Sequence, residues 1–347
     1  MNRKTNRLIA VCMFLCMSVY VMASSKDSTS QRLIHIIGVD FRPAYTFPTN
    51  GFFKGANAAQ TPVRKTFSGH VKYGFKFAPD TYWGRMYPYA IQGLGVGYNT
   101  FFNSSEIGNP LAVYAFQTYR IASITRRLSF DYEWNFGASF GWKIYDKETN
   151  PMNNVVGSKI NAYINFGLLL NWQIDACTNL RAGVGVTHYS NGNTGYPNSG
   201  VNTIGGSIGL IRYFGGKEKL ELYDRRYATY RNRNVFKPYI SYDLIVYGAL
   251  KKKGVFPPES SPVLVPGSFA VGGLNFTPMY NFSNYFRAGL SLDAQYDESA
   301  NINEHIANTV GGVDAENIRF HRPPLKEQLA VGLSVRAEIV MPIFSIN

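Results

Sequence analysis

The chain has 347 residues, a formal net charge of +13, and many Tyr (24), Phe (24) and Gly (33) residues. Past the N-terminal segment no apolar run is long enough for a spanning helix, and this aromatic and glycine content suits strands. Three cysteines, two of them in that first segment, exclude a cysteine zinc cluster; the basic charge fits anionic lipid headgroups better than nucleic acid.

Residues 1–23 read as a signal peptide. Arg3, Lys4 and Arg7 form a basic start, Leu8 to Ala23 an apolar core, and Val21-Met22-Ala23 a small-residue cleavage site. Cleavage removes Cys12 and Cys16, leaves Cys177 with no intramolecular partner, and lowers the charge to about +10. Twelve segments then alternate with period two: 33–45, 66–78, 89–101, 110–122, 128–145, 158–174, 180–190, 201–214, 238–250, 268–279, 284–296 and 327–341. In the fifth, Leu128, Phe130, Tyr132, Trp134, Phe136, Ala138, Phe140 and Trp142 alternate with Ser129, Asp131, Glu133, Asn135, Gly137, Ser139 and Gly141. Strands of a soluble sandwich run about five or six residues. These run well past ten, with one bulky apolar face and one polar, glycine-rich face. That pattern predicts an all-β fold, a transmembrane antiparallel barrel of the outer-membrane type, over residues 24–347.

An even strand count puts both ends on the periplasmic side. Most odd-to-even connections are long (46–65, 146–157, 251–267 and 297–326) and several even-to-odd ones short (123–127, 175–179 and 280–283), the asymmetry of long outer loops and short inner turns. The simplest reading is a twelve-stranded barrel. The charged connection 215–237 breaks the asymmetry and leaves open a second arrangement, an eight-strand unit over 33–214 with additional strands over 238–347.

On this scheme the seventh strand ends at the outer rim in His188-Tyr189-Ser190-Asn191. His188 and Ser190 share the parity of Leu180, Ala182, Val184 and Val186, so both face lipid. The eighth strand begins at the same rim with Asn202, on the face of Ile204, Ile208, Leu210 and Phe214. A hairpin centred near Gly195 sets His188 opposite Asn202. Three polar residues breaking a lipid-facing stripe are costly unless used.

His188-Tyr189-Ser190-Asn191, followed by Pro197-Asn198-Ser199-Gly200-Val201-Asn202, resembles the signature of the PagL-type lipid A 3-O-deacylases of the acyloxyacyl hydrolase family. Gly95-Val96-Gly97-Tyr98-Asn99-Thr100-Phe101 and Gly108-Asn109-Pro110-Leu111-Ala112 are similar to the same family, so the resemblance covers roughly 90–214. It implies an eight-stranded outer-membrane barrel that hydrolyses an ester-linked acyl chain of lipid A, with its site at the outer-leaflet rim. Ser190 then matches the nucleophile and His188 the general base. Asn198, with Asn193 and Asn191 beside it, falls where oxyanion and substrate are held. The family's glutamate aligns with Asn202, which can orient the histidine but carries no charge. The resemblance implies no metal or cofactor; the partners are the lipid substrate and the membrane, with no nucleic acid. Oligomeric state is not legible. A non-enzymatic barrel or small pore with a degenerate site, and an esterase for another outer-leaflet lipid, remain open readings of the same residues.

Weaker signals have plainer explanations. Gly93-Leu94-Gly95-Val96-Gly97 lies in a strand pattern, so small lumen-facing residues account for it. Lys251-Lys252-Lys253 fits a phosphate-binding loop or a solvated strand end. His35, His70, His305 and His321 lack metal-ligand spacing and read as lumen or loop residues. Tyr82, Trp83, Trp142 and Trp172 suit interfacial girdles.

Overall fold

The computed structural model describes residues 33–78, 81–214, 236–255, 263–305, 320–341 and 345–346. The proposed signal segment with Cys12 and Cys16, nearly all of the 215–237 connection and part of the 297–326 loop lie outside the described residues. The first eight strands are β1 (Leu33–Thr46), β2 (Lys65–Phe77), β3 (Ile91–Thr100), β4 (Gly108–Ser123), β5 (Leu128–Trp142), β6 (Ile160–Gln173), β7 (Thr178–Ser190) and β8 (Val201–Phe214). Each pairs antiparallel with the next, and β1 pairs with β8 from His35↔Phe214 to Thr46↔Thr203. The barrel is therefore closed at eight strands. All twelve predicted segments form strands, but they do not share one barrel: the arrangement is the eight-strand unit with a separate four-strand extension.

The lumen gives the physical reason. An eight-stranded barrel has an interior that side chains just fill. Inward-facing Arg42, Lys72, Glu133 and Arg181 meet there. Glu133 accepts from Arg181 at 3.0 Å, from Arg42 at 3.2 Å and from the Thr118 hydroxyl at 3.1 Å, and pairs with Lys72. Asp40 lies 2.7 Å from Lys72 and 2.6 Å from Arg42. A wider barrel would separate these partners. A cavity of about 70 Å³ at the inner end is lined by Lys76, Arg120, Asp131 and Asn171 among others. Beyond that cavity come the charged layer, which lines a second cavity of only about 20 Å³, and an apolar layer; spaces this small disfavour the open pore of the rival reading.

The apolar layer plugs the outer end. In the β1–β2 connection a one-turn helix, Gly51–Lys54, begins where the Asn50 side chain accepts the Phe53 N–H at 3.2 Å. It places Phe52 and Phe53, both fully buried, in one apolar cluster with Phe101, Trp142, Val156, Tyr163 and Tyr189. Buried Glu106 ties the outer loops together, accepting from the Ala58 N–H at 2.8 Å and from Asn103 Nδ2 at 2.9 Å. Trp142 thus belongs to the plug, not to an interfacial girdle. Tyr82 and Trp172 are exposed as a girdle requires.

His70 faces the lumen, bonded to Tyr114 and Ser68 at 2.9 Å each. His35 instead lies on the outer face of β1 beside Tyr73, 2.7 Å away, because its parity is that of Ile37 and Val39. Gly95 does line the lumen; a Cβ there would stand 2.5 Å from the Tyr114 ring.

After the barrel come β9 (Tyr239–Lys251), the short pair β10 (Gly254–Val255) and β11 (Val263–Leu264), then β12 (Phe269–Asn281), β13 (Phe286–Asp297), β14 (Leu329–Val340) and β15 (Ser345–Ile346). The four long strands, with the two-residue β15 at one edge, form an open sheet in the order β15-β14-β13-β12-β9, and β10 and β11 pair only with each other. No helix among the described residues is long and apolar enough to cross a membrane.

Candidate active site on the outer rim

Parity places the candidate residues. Along β7 and β8 the residues Ala182, Val184, Val186, Ile204, Ile208 and Leu210 are exposed on the barrel exterior, Val184 by 60 %. Arg181, Tyr189 and Thr203 are buried inside. His188, Ser190 and Asn202 take the exterior parity and are each half-buried. The register sets His188 opposite Asn202, as the hairpin predicted, and Ser190 opposite Ala162 of β6.

His188 Nδ1 lies 2.6 Å from Asn202 Oδ1. An amide oxygen only accepts, so Nδ1 carries the hydrogen and Nε2 keeps its lone pair. That is the tautomer a general base requires. Ser190 stands two residues farther along the same face, roughly 7 Å away along the strand. Among the described residues no hydrogen bond joins Ser190 to His188. Such contacts are commonly long before substrate binds. No carboxylate is among the described partners of His188. Among the described residues no group of three His, Cys, Asp or Glu side chains could hold a metal ion.

The connecting turn is internally braced. Asn191 donates its backbone N–H to Asn198 Oδ1, and Asn198 Nδ2 donates to Asn193 Oδ1, both at 3.1 Å. Asn191 Nδ2 donates to the Gly195 carbonyl at 3.0 Å. Gly192 and Asn193 sit in the left-handed region at φ 60° and 63°, a conformation that glycine and asparagine tolerate. The three asparagines are thus brought together, and Asn198 retains its second amide hydrogen. The neighbouring outer loop holds the turn: Ser199 Oγ donates to the Asn154 carbonyl at 3.0 Å.

Sequence reasoning passed over four supports. Tyr189, between the two site residues, points inward and donates to Asn99 Oδ1 at 2.8 Å. It packs on Phe101, Trp142 and Tyr163 and so locks the end of β7 with His188 and Ser190 facing out. Its alternation with them was the available signal. Asn99, in turn, donates to the Gly97 and Pro110 carbonyls at 3.2 Å each. Gly200 has φ 68°, and a Cβ there would stand 3.2 Å from His188 Cε1. Lys252, from the end of β9, donates its backbone N–H to the Asn193 carbonyl at 2.7 Å. No local pattern announces a contact between segments that far apart in the chain.

The family model described as lipid A 3-O-deacylase (PagL) matches residues 43–210, and that described as acyloxyacyl hydrolase, C-terminal domain, matches residues 240–347. No curated protein matches the chain. Among solved structures, the outer membrane enzyme PagL is 15% identical, with 50% of this chain and 98% of that one covered and a TM-score of 0.35. Neisserial surface protein A is 9% identical, with 52% and 97% covered and a TM-score of 0.35. The N-terminal β-barrel domain of Pseudomonas aeruginosa OprF is 10% identical, with 52% and 97% covered and a TM-score of 0.30. The family matches extend on both sides of the site residues and over the extension as well, and the chain belongs to the PagL lipid A 3-O-deacylase family.

Proposed function

We propose that this protein is exported to the outer membrane and removes an ester-linked acyl chain from lipid A at the outer-leaflet rim. The observation that carries the reading is the His188–Asn202 hydrogen bond of 2.6 Å on the lipid-facing side, on the same face as Ser190. An ordinary hydrolase gains nothing from a base that faces hydrocarbon; a lipid hydrolase meets its substrate there. Ser190 Oγ attacks the ester carbonyl while His188 Nε2 takes the hydroxyl proton. The Asn191–Asn198 turn supplies N–H donors to the oxyanion. As the tetrahedral intermediate collapses and the ester C–O bond breaks, the imidazolium gives its proton to the departing sugar oxygen. Water, deprotonated by His188, then cleaves the acyl-enzyme and releases the fatty acid. Mass spectrometry of lipid A from cells carrying the chain should show the loss of one acyl chain. Unchanged lipid A with the barrel folded in the outer membrane would overturn the reading.

Asn202 orients His188 but cannot offset the imidazolium charge. Asn202→Glu should therefore keep the orientation, add the charge and raise turnover by ~10-fold, equivalent to about 1.4 kcal/mol. Complete loss of turnover would remove Asn202 from the mechanism. Gly200→Ala places a Cβ in a left-handed backbone against the imidazole. It should cost about 1–2 kcal/mol of stability, read by thermal unfolding, and lower turnover by displacing His188.

A further inference from the structure

The extension has the surface of half a barrel. One face carries Tyr242, Leu244 and Val246 of β9, Leu274 and Phe276 of β12, Leu290 and Leu292 of β13, and Val331, Leu333 and Val335 of β14. All are exposed, Leu333 by 82 % and Val335 by 78 %. The other face is polar and internally bonded. Arg287 lies 2.8 Å from Glu338 and 3.0 Å from Asp243, and Thr277 donates to Ser291 at 2.9 Å. The closed barrel repeats this division, with an apolar exterior and Arg–carboxylate clusters within.

The sheet crosses the same slab as the barrel. At its outer end, Lys252 bonds to Asn193 of the β7–β8 turn. At its inner end, Tyr285 in the β12–β13 turn donates to the Met86 carbonyl at 2.7 Å, and Tyr87 donates to the Asn284 carbonyl at 2.9 Å. Met86 and Tyr87 lie in the inner β2–β3 connection. Within lipid an open strand edge leaves its N–H and C=O groups without water, which hydrocarbon does not tolerate. Yet among the described residues β9 pairs only with β12, and β14 meets β15 only at Ile339 and Val340. The barrel offers no edge, because β1 and β8 have closed it.

We propose that two copies of this protein join their extensions into a second, closed eight-stranded barrel. Chain direction fits. The four strands run outward, inward, outward and inward, so β14 of one copy meets β9 of the other antiparallel. A two-fold axis along the membrane normal makes both seams alike. β9 has 13 residues and β14 has 12, so the edges match in length. The apolar faces turn to lipid and the polar faces enclose a filled lumen of the size an eight-stranded barrel has. The dimer leaves the catalytic barrels outside the seam, one on each side.

The test uses the full chain in membranes, with Cys177→Ser as background. Leu244→Cys on β9 is combined in turn with cysteine at each outward residue of β14 from Leu329 to Ile339. Oxidation should give a disulfide-linked dimer at one β14 position or two adjacent ones, and only in the double variants. Each single variant should stay uncrosslinked, because the seam joins unlike strands. The detergent-extracted protein should have twice the chain mass. A monomer mass with no crosslink at any position overturns the proposal. So does equal crosslinking of the single variants, or a crosslink to a different protein.

Discussion

Ser190→Ala should abolish acyl-chain release while leaving the barrel folded. Ser190 is the last residue of β7 and stands on the exterior face, opposite Ala162. Its hydroxyl carries no described lumen bond, so its removal leaves the charged layer and the plug intact. Losing a serine nucleophile from a comparable hydrolytic site costs on the order of 10⁶ in kcat. A reduction of at least ~10³-fold, about 4 kcal/mol in barrier, is the expected outcome here. Lipid A mass spectra and turnover on detergent-solubilised lipid provide the measurement, with heat-modified gel mobility reporting folding. His188→Ala should fall to a similar level, since base and nucleophile act as a unit. Full turnover in a folded Ser190→Ala protein would sink the nucleophile assignment.

Glu133→Ala should damage stability instead. Glu133 is the shared acceptor for Lys72, Arg42 and Arg181, and all four side chains are nearly inaccessible. Removing one partner of a buried charge cluster typically costs about 3–5 kcal/mol, because the remaining charges stay buried without compensation. Asp40 still faces Lys72 and Arg42, but among the described residues Arg181 has no second carboxylate in contact. The midpoint of urea unfolding in detergent should drop sharply. Glu133→Gln together with Arg181→Met should recover part of the loss, since the pair removes opposite charges together. An unchanged midpoint for Glu133→Ala would show that the charged layer does not hold the barrel together.

How far the sequence reaches is clearest at β7 and β8. Alternation fixes which side chains share a face, because a strand has period two, and a short hairpin fixes which residues lie opposite. The outward parity of His188, Ser190 and Asn202, and the pairing of His188 with Asn202, were therefore legible from one stretch of residues. All twelve long strands were legible for the same reason, each being a local pattern, whereas the two-residue β10, β11 and β15 are too short to alternate. Closure was not. Whether β8 returns to β1 or continues into β9 depends on contacts between residues more than a hundred positions apart. It depends also on whether Arg42, Lys72, Glu133 and Arg181 converge in one lumen, and alternation states the face of a residue but not the curvature of the sheet. The tie from Tyr189 to Asn99, the plug around Phe52 and Phe53, and the contact of Lys252 with Asn193 belong to the same class. Each joins segments distant in the chain through a single side chain or carbonyl. Local periodicity determined the twelve long strands, their faces and the juxtaposition of His188 with Asn202 at one end of β7 and β8; only the three-dimensional packing of the lumen decided that eight strands close and four remain open.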